Sequence, residues 1–176
     1  MVKLMVFLGN PGREYARTRH NIAWMVCDHH FPNLSWSTKF HAQLSSEGPV
    51  RLLRPQTYMN ESGKAVRATL DFFHLEPNNI LVVHDDLELP YGTLRLQAGG
   101  GLQGHNGLKS IKQHVNSDQF LRLRIGIGRP KYGSVASFVL ERFTSEEEVS
   151  LPLVLDLASS MLDSDISSLP VTNTLV

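Results

Sequence analysis

Residues 4–31 read LMVFLGNPGREYARTRHNIAWMVCDHHF, and this stretch decides the fold. Its first part, Leu4 to Leu8, is an apolar run typical of a buried strand, and its last part, Ile22 to Phe31, has the composition of a helix. The loop between them carries the amide of Asn10, a phenol, three arginines and the imidazole of His20. Open α/β sheets bind ligands at the carboxyl ends of their strands, and histidine is well suited to move a proton near neutral pH. This loop is therefore the first candidate site.

The alternation of strands and helices continues along the chain. The predicted helices are Asn21–Phe31, Ser62–Phe73, Asn106–His114, Ala136–Arg142 and Ser145–Leu162. The predicted strands are Lys3–Leu8, Ile80–Val83, Thr93–Gln97 and Leu121–Ile127, with a hairpin of Phe40–Glu47 and Pro49–Arg54. Pro152 is expected to be tolerated only near the first turn of its helix or at a break. The pattern predicts an α/β fold, a single-domain sandwich over residues 1–176 with a mixed, twisted central sheet flanked by helices.

The composition is that of a globular protein, with 41 % hydrophobic residues among 176. No apolar run approaches the roughly 18 residues of a transmembrane helix, and the N-terminus does not resemble a signal peptide. Cys27 is the only cysteine, so neither a disulfide framework nor a Cys-x-x-Cys zinc pattern is present. We expect a monomeric protein of the reducing cytoplasm that needs no metal or other cofactor and no membrane.

The formal net charge of zero hides an asymmetry. All 17 Lys and Arg residues lie at or before Arg142, whereas six of the 17 acidic residues lie beyond it. The chain therefore has a basic body and an acidic tail, residues 143–176. A basic body is compatible with a polyanionic partner such as a nucleic acid, although many solvated surfaces have the same balance.

Polar residues lie at four junctions, each between two consecutive elements of the predicted secondary structure. The junctions are Asn10/His20, Met59-Asn60, Asp85 and His105-Asn106. Function concentrates at such positions because a rigid scaffold fixes them. A histidine oriented by a carboxylate can act as a general base, and asparagine amides can hold a carbonyl group and donate to a developing oxyanion.

Each of these residues also has an ordinary structural explanation. Asn10 can belong to a simple turn, Asn60 and Asn106 can be helix N-caps, His20 can be a surface histidine and Asp85 a turn acid. Taken one at a time, the residues do not separate a catalytic site from a set of caps and turns.

Five ordered blocks of the chain together resemble the bacterial peptidyl-tRNA hydrolases. The blocks are Gly9–Asn21, Thr57–Val66, Val83–Pro90, Gly99–Ile111 and Arg122–Pro130, and Phe138–Leu140 matches the block that usually follows. The resemblance spans about residues 1–142. It implies an esterase that cuts the bond between a peptide and the 3′ ribose of its tRNA, without metal or cofactor.

The resemblance also implies roles for individual residues. His20 would activate water, Asp85 would hold its basic tautomer, and Asn10 would orient the substrate. The residues that would contact substrate are Tyr15, Tyr58, Met59, Asn60, His105 and Asn106, with Met59 packing the peptide groove.

One departure concerns the tRNA 5′-phosphate. Many relatives have a lysine at the position of Gln97, paired with the arginine that matches Arg124. Arg95 lies two residues before Gln97 on the same face of the strand. We therefore expect Arg95 and Arg124 to share the phosphate. A second departure is the tail, which is shorter and more acidic than in many relatives.

Other functions fit the sequence less well. Gly99–Gly104 matches G-x-G-x-x-G. A dinucleotide-binding motif, however, is expected directly after the first strand, with an acidic residue about 20 positions further along the chain. No G-x-S-x-G nucleophile elbow is present, and the consecutive residues His84, Asp85 and Asp86 point alternately to opposite faces of a strand, which disfavours a metal site. A non-catalytic RNA-binding protein on the same scaffold remains the alternative to the enzyme.

Overall fold

The computed structural model describes residues 1–164 and 166–175 and contains one mixed eight-stranded sheet. The strands are β1 Leu4–Phe7, β2 Ser37–Lys39, β3 Ala42–Glu47, β4 Val50–Pro55, β5 Ile80–Asp86, β6 Thr93–Ala98, β7 Leu121–Gly126 and β8 Val171–Thr174. The helices are α1 Ile22–His30, α2 Ser62–Phe73, α3 Asn106–Val115, α4 Val135–Val139 and α5 Ser145–Leu162. No helix within the described residues is both long and apolar enough to cross a membrane.

The sheet has the strand order β2-β3-β4-β1-β5-β7-β6-β8. Its centre is parallel, because β1 pairs in parallel with β4 and β5, and β5 pairs in parallel with β7. Both flanks are antiparallel. The carboxyl ends of β4, β1 and β5 therefore meet at one edge, which is where residues that follow these strands can form a site.

Each face of the sheet carries its own apolar core. Alternate residues of a strand point to opposite faces, so Phe7 joins the core formed with α1 and α5, while Val6 joins the core formed with α2 and α3. Val83 and Val82 divide in the same way. The central strands are buried on both sides, which explains why they read as continuous apolar runs rather than alternating ones.

Helices α2 and α3 approach each other closely at Gly63. A Cβ atom built on Gly63 would lie 2.1 Å from the backbone oxygen of Ser110. The backbone N–H of Gly63 also donates to Oγ of Ser110 at 2.8 Å. Because α3 begins at Asn106, this contact helps to fix the start of α3 relative to the sheet.

The predicted α/β fold is confirmed, and several elements differ in detail from the prediction. The strand predicted to end at Val83 continues to Asp86, with all seven residues buried. The short helix ends at Val139 rather than Arg142. Strands β2 and β8 were not predicted. Pro152 lies inside a continuous α5 rather than at its first turn or a break, on the exposed side of the helix, where water can replace the missing N–H donor.

Candidate active site

A cleft of about 320 Å³ opens beside the carboxyl end of β5. One part of its lining is polar and holds His20, Asp85 and His105. The rest is largely apolar and comes from Leu87, from the loop before α3, and from α4. The cleft therefore places an ionisable cluster against a wall suited to an apolar group.

His20 and Asp85 form a buried pair. Nδ1 of His20 lies 2.7 Å from Oδ2 of Asp85, and the side chains are 12 % and 2 % exposed. A carboxylate can only accept, so Nδ1 carries the proton and donates to Asp85. In the neutral ring, Nε2 is then the unprotonated nitrogen. This is the tautomer that a general base requires.

The pair also sets the charge states of its members. Burial alone would lower the pKa of His20, but the charge and the hydrogen bond of Asp85 together raise it above its usual value. Burial alone would raise the pKa of Asp85, but the neighbouring His20 and His105 bring it well below its usual range. Asp85 is therefore an anion at neutral pH, and the pKa of His20 lies above its ordinary value.

His105 reaches the other oxygen of the same carboxylate. Its Nε2 lies 2.9 Å from Oδ1 of Asp85. Its Nδ1 accepts hydrogen bonds from the backbone N–H groups of Gly107 and Leu108, and so caps the N-terminus of α3. Because both ring nitrogens are engaged within the protein, the structure gives His105 no free ring nitrogen for a substrate. This differs from the substrate-binding role that the resemblance implies.

Asn10 is fixed by two neighbours. Its Oδ1 accepts from the backbone N–H of Met59 at 2.8 Å. Asn21 clamps its backbone, because the Asn10 N–H donates to Oδ1 of Asn21 and the Asn21 amide donates to the Asn10 carbonyl, each at 2.9 Å. These contacts leave Nδ2 of Asn10 without a partner among the described residues, and Asn10 itself is 6 % exposed and does not line the cleft. They also join the end of β1 to the segment after β4.

The remaining residues that are predicted to contact substrate lie in different places and differ in exposure. Asn106 lines the cleft and is exposed. Asn60 and Tyr58 flank Met59, and both are exposed, Tyr58 by 60 %. The structure does not bring the half-buried Tyr15 into the lining of the cleft.

Met59 differs from its prediction. Its side chain is 5 % exposed and packs in the core beneath α2 and α3, so it does not form the surface of a peptide groove. The apolar contacts available in this core explain its burial. Its direct contribution to the site is the backbone N–H that holds Asn10.

The two arginines expected to share a phosphate lie side by side. Arg95 and Arg124 are paired residues of β6 and β7. Gln97 lies between them, and its Oε1 accepts from Nε of Arg95 and from Nη1 of Arg124, each at 2.9 Å. Arg124 also donates to Asp86 at 2.7 Å, and Arg95 to Thr172 of β8 at 2.9 Å.

A second buried network supports the glycine-rich loop before α3. Arg122 donates to His84 Nε2 at 3.3 Å and to the carbonyl oxygens of Gly99 and Gly101. Nδ1 of His84 donates to the backbone oxygen of Asp85 at 2.8 Å. Burial, and beyond it the neighbouring His105 and Arg122, lower the pKa of His84 to about 3. His84 is therefore neutral and serves as a bridge between β5 and β7.

Arg19 connects the loop of His20 to the wall of the cleft. Its buried guanidinium donates to the carbonyl oxygen of Phe138, at the end of α4, and to Glu141 and Glu147. It also lies 4.0 Å above the ring of Phe138. No sequence pattern predicts a role for Arg19, Asn21 or Arg122. The only signal for them was their place inside the matching blocks.

The site also contains a possible metal triad, since the ligand atoms of His20, Asp85 and His105 all lie within 4.8 Å of one another. Nδ1 of His20 and Nε2 of His105, however, each donate a hydrogen bond to an oxygen of Asp85. An ion could bind these two nitrogens only after both protons had left. The geometry thus fits proton transfer better than metal binding.

Comparisons with known proteins agree with the site. The family model described as peptidyl-tRNA hydrolase matches residues 4–173. The peptidyl-tRNA hydrolase of Geotalea uraniireducens (strain Rf4) is 45 % identical over 169 residues, which are 92 % of this chain and 88 % of the relative. That of Treponema pallidum (strain Nichols) is 47 % identical over 162 residues, which are 86 % and 80 %.

Among solved structures, the crystal structure of peptidyl-tRNA hydrolase from Acinetobacter baumannii matches with a TM-score of 0.82. It is 40 % identical, and the match covers 90 % of this chain and 85 % of that one. Sequence and structure thus point the same way, and this chain belongs to the peptidyl-tRNA hydrolase family.

Proposed function

We propose that this chain hydrolyses the ester bond between an N-blocked peptide and the 3′ ribose of tRNA, with water activated by His20. The observation that carries the proposal is the buried His20–Asp85 hydrogen bond of 2.7 Å at the edge of the cleft. It holds the imidazole in one tautomer and leaves Nε2 as the base. The family membership of the chain supplies the substrate class.

The reaction needs one proton to travel from water to the ribose oxygen. Nε2 of His20 takes a proton from water while the water oxygen attacks the ester carbonyl carbon. Asp85 stabilises the imidazolium that results. The tetrahedral intermediate then collapses, the ribose oxygen leaves and receives the proton from His20, and the peptide departs with a free carboxyl group. Proton transfer of this kind contributes roughly 10²–10⁴-fold in rate.

Amide groups provide the stabilisation of developing charge. We assign Nδ2 of Asn10 to the ester or peptide carbonyl, because Met59 and Asn21 fix the rest of that residue. The exposed amides of Asn60 and Asn106 are assigned to the peptide or the attacking water. Preorganised donors of this type act without reorganisation at the moment of reaction. Tyr15 and Tyr58 are assigned to the surface that meets the tRNA or peptide.

Arg95 and Arg124 are assigned to a tRNA phosphate. Gln97 accepts a hydrogen bond from both and is neutral, so the pair retains more positive charge than Asp86 alone offsets. Replacement of Arg95 by Ala is expected to weaken tRNA binding and to lower the slope of log K against log salt by about one. Lys3→Ala, at the opposite end of the sheet, is the matched control. An unchanged affinity and slope in Arg95→Ala would remove Arg95 from the phosphate site.

The experiment that separates an enzyme from an RNA-binding protein uses N-acetyl-aminoacyl-tRNA. The chain should release the N-acetyl-amino acid, and His20→Asn should bind the tRNA with similar affinity but release almost none. Binding by the unaltered chain without release would favour the non-catalytic alternative. Release from a small ester at the same rate, independent of tRNA, would instead indicate a general esterase.

The remaining expectations belong to this proposal. We propose that the chain acts as a single domain and as a monomer in the cytoplasm, without metal or other cofactor. Activity that survives exhaustive chelation and sedimentation as one species of 19.7 kDa would agree with this. Loss of activity on chelation, restored by a divalent ion, would contradict the metal-free reaction.

A further inference from the structure

Asp85 accepts hydrogen bonds from two imidazoles, one on each carboxylate oxygen. His20 lies 2.7 Å from Oδ2 and His105 lies 2.9 Å from Oδ1. The centroids of the two rings are 5.3 Å apart. The mechanism above uses only the first of these contacts. The second is equally buried and needs its own explanation.

The protonation of His105 follows from its partners. The backbone nitrogens of Gly107 and Leu108 lie 3.1 and 3.2 Å from Nδ1 of His105. A backbone N–H can only donate, so Nδ1 must be an unprotonated acceptor. The proton of the neutral ring is then on Nε2, where it faces Asp85. The N-terminus of α3 thus selects the tautomer that donates to the carboxylate.

The other charged groups of β5 and β7 near this pair are already matched. His84 is neutral and accepts from Arg122. Asp86 is paired with Arg124 at 2.7 Å. None of these four side chains hydrogen-bonds to the carboxylate of Asp85.

The helices packed against the segment of His20 bring no further unpaired charged side chain to the His20–Asp85 pair within the described residues. Helix α4, Val135–Val139, has no titratable side chain. The charged residues of α1 have partners elsewhere, since Asp28 is paired with Arg54 and the two histidines are paired with acids of α5 and its end. Arg19, next to His20 in the chain, is engaged by Glu141 and Glu147.

We propose that His105 is a positioning residue that limits the basicity of His20 by sharing the carboxylate of Asp85. A hydrogen bond to a carboxylate stabilises its charge. If His105 did not donate, the whole charge of Asp85 would act on His20, and the imidazolium form would be favoured. More of the enzyme would then hold a protonated, inactive base at neutral pH. The inference rests on the proposed role of His20 as the base.

Two substitutions separate this role from helix capping. An asparagine side-chain oxygen can take the place of Nδ1, so His105→Asn retains the cap of α3 but cannot reach Asp85. A glutamine amide nitrogen can take the place of Nε2, so His105→Gln retains the donor to Asp85 but loses the cap. The two variants thus remove one function each from the same position.

The measurement is the NMR titration of the His20 ring in the full chain, with the pH dependence of kcat measured beside it. We expect His105→Asn to raise the midpoint of His20, and the acid limb of kcat, by on the order of one pH unit. We expect His105→Gln to keep both within about a third of that shift. Thermal unfolding should show the reverse order, with His105→Gln the less stable variant.

Three outcomes would overturn the proposal: an unchanged His20 midpoint in His105→Asn, an equal shift in both variants, or a shift in His105→Gln alone. The last two would show that His105 acts through the fold of α3. Because the NMR titration needs no substrate, it remains decisive even if the chain releases nothing from N-acetyl-aminoacyl-tRNA. That result would contradict the proposed function and not the coupling between the two imidazoles.

Discussion

His20 differs from an ordinary surface histidine because each of its ring nitrogens has a distinct environment. Nδ1 is bound to a carboxylate that is 2 % exposed, while Nε2 has no partner among the described residues. This asymmetry, and not the presence of a histidine, supports the proposed role of His20 as a base. The same principle applies to Asn10, in which the oxygen is bound and the amide nitrogen has no partner among the described residues.

The pH dependence of activity follows from the pKa of His20. The proposed base works only when neutral, and Asp85 raises the pKa of His20 above 6.5. Activity is therefore expected to fall about tenfold per pH unit below a midpoint that lies above pH 6.5. A profile of kcat/KM against pH for the free enzyme measures this midpoint. An acid limb centred well below pH 6 would contradict it.

At the scale of residues, the resemblance to a family predicted more than the sequence pattern alone did. His20, Asp85 and Asn10 each had an ordinary explanation as a surface residue, a turn acid or a turn amide. The structure brings His20 and Asp85 into contact across 65 positions of sequence. The roles of Asn21 and Arg122 could not be predicted in this way. Both side chains hold backbone groups that are distant in sequence, and no local sequence pattern predicts such contacts.

At the scale of elements, long apolar or periodic segments were predicted well and short edge segments were not. The bounds of α2 and α5 match the prediction, and the helical spacing of Ala65, Val66 and Thr69 explains the match for α2. Strands β2 and β8 have three and four residues and are largely exposed. These strands form because they pair with β3 and β6. The residues that determine them therefore lie in the partner strands, and the local sequence of β2 and β8 does not predict them.

The contact between α2 and α3 provides a test at this scale. Gly63→Ala places a methyl group against the backbone oxygen of Ser110, which cannot move without shifting α3. We expect a loss of about 1–3 kcal/mol in the free energy of unfolding, measured by urea denaturation, and a lower kcat because α3 carries Asn106. Lys64→Ala, exposed on the same helix, should stay within about 0.5 kcal/mol of the unaltered chain. Equal stability of the two variants would show that the helices can separate freely.

At the scale of the whole molecule, the acidic tail is part of the fold. Helix α5 packs against α1, and its acids meet basic groups of the body. Arg17 is paired with Glu148, and His29 with Asp156. The charge asymmetry, which is compatible with a polyanionic partner, thus also attaches the tail to the body.

Removal of α5 should therefore unfold the chain. The buried side chains of this helix are Leu151, Val154, Ala158, Met161 and Leu162. Burial of each large one contributes about 1.5–3 kcal/mol, and together they are comparable with a total stability of about 5–15 kcal/mol. A chain ending at Arg142 is expected to lose its cooperative thermal transition in circular dichroism. A chain ending at Ser164, which keeps α5, should retain one.

If both shortened chains unfolded at the temperature of the full chain, α5 would not belong to the cooperative unit. The comparison also bears on the cleft, because Arg19 joins the loop of His20 to Glu147 of α5. The chain ending at Ser164 should therefore keep ester hydrolysis, whereas the chain ending at Arg142 should not.

The central claim is that His20 is the base that activates water, and chemical rescue tests it most directly. His20→Ala should cleave N-acetyl-aminoacyl-tRNA roughly 10²–10⁴-fold more slowly than the unaltered chain, and added imidazole should restore a saturable part of the rate in proportion to its neutral form. Cleavage by His20→Ala at the full rate, without imidazole, would contradict the account.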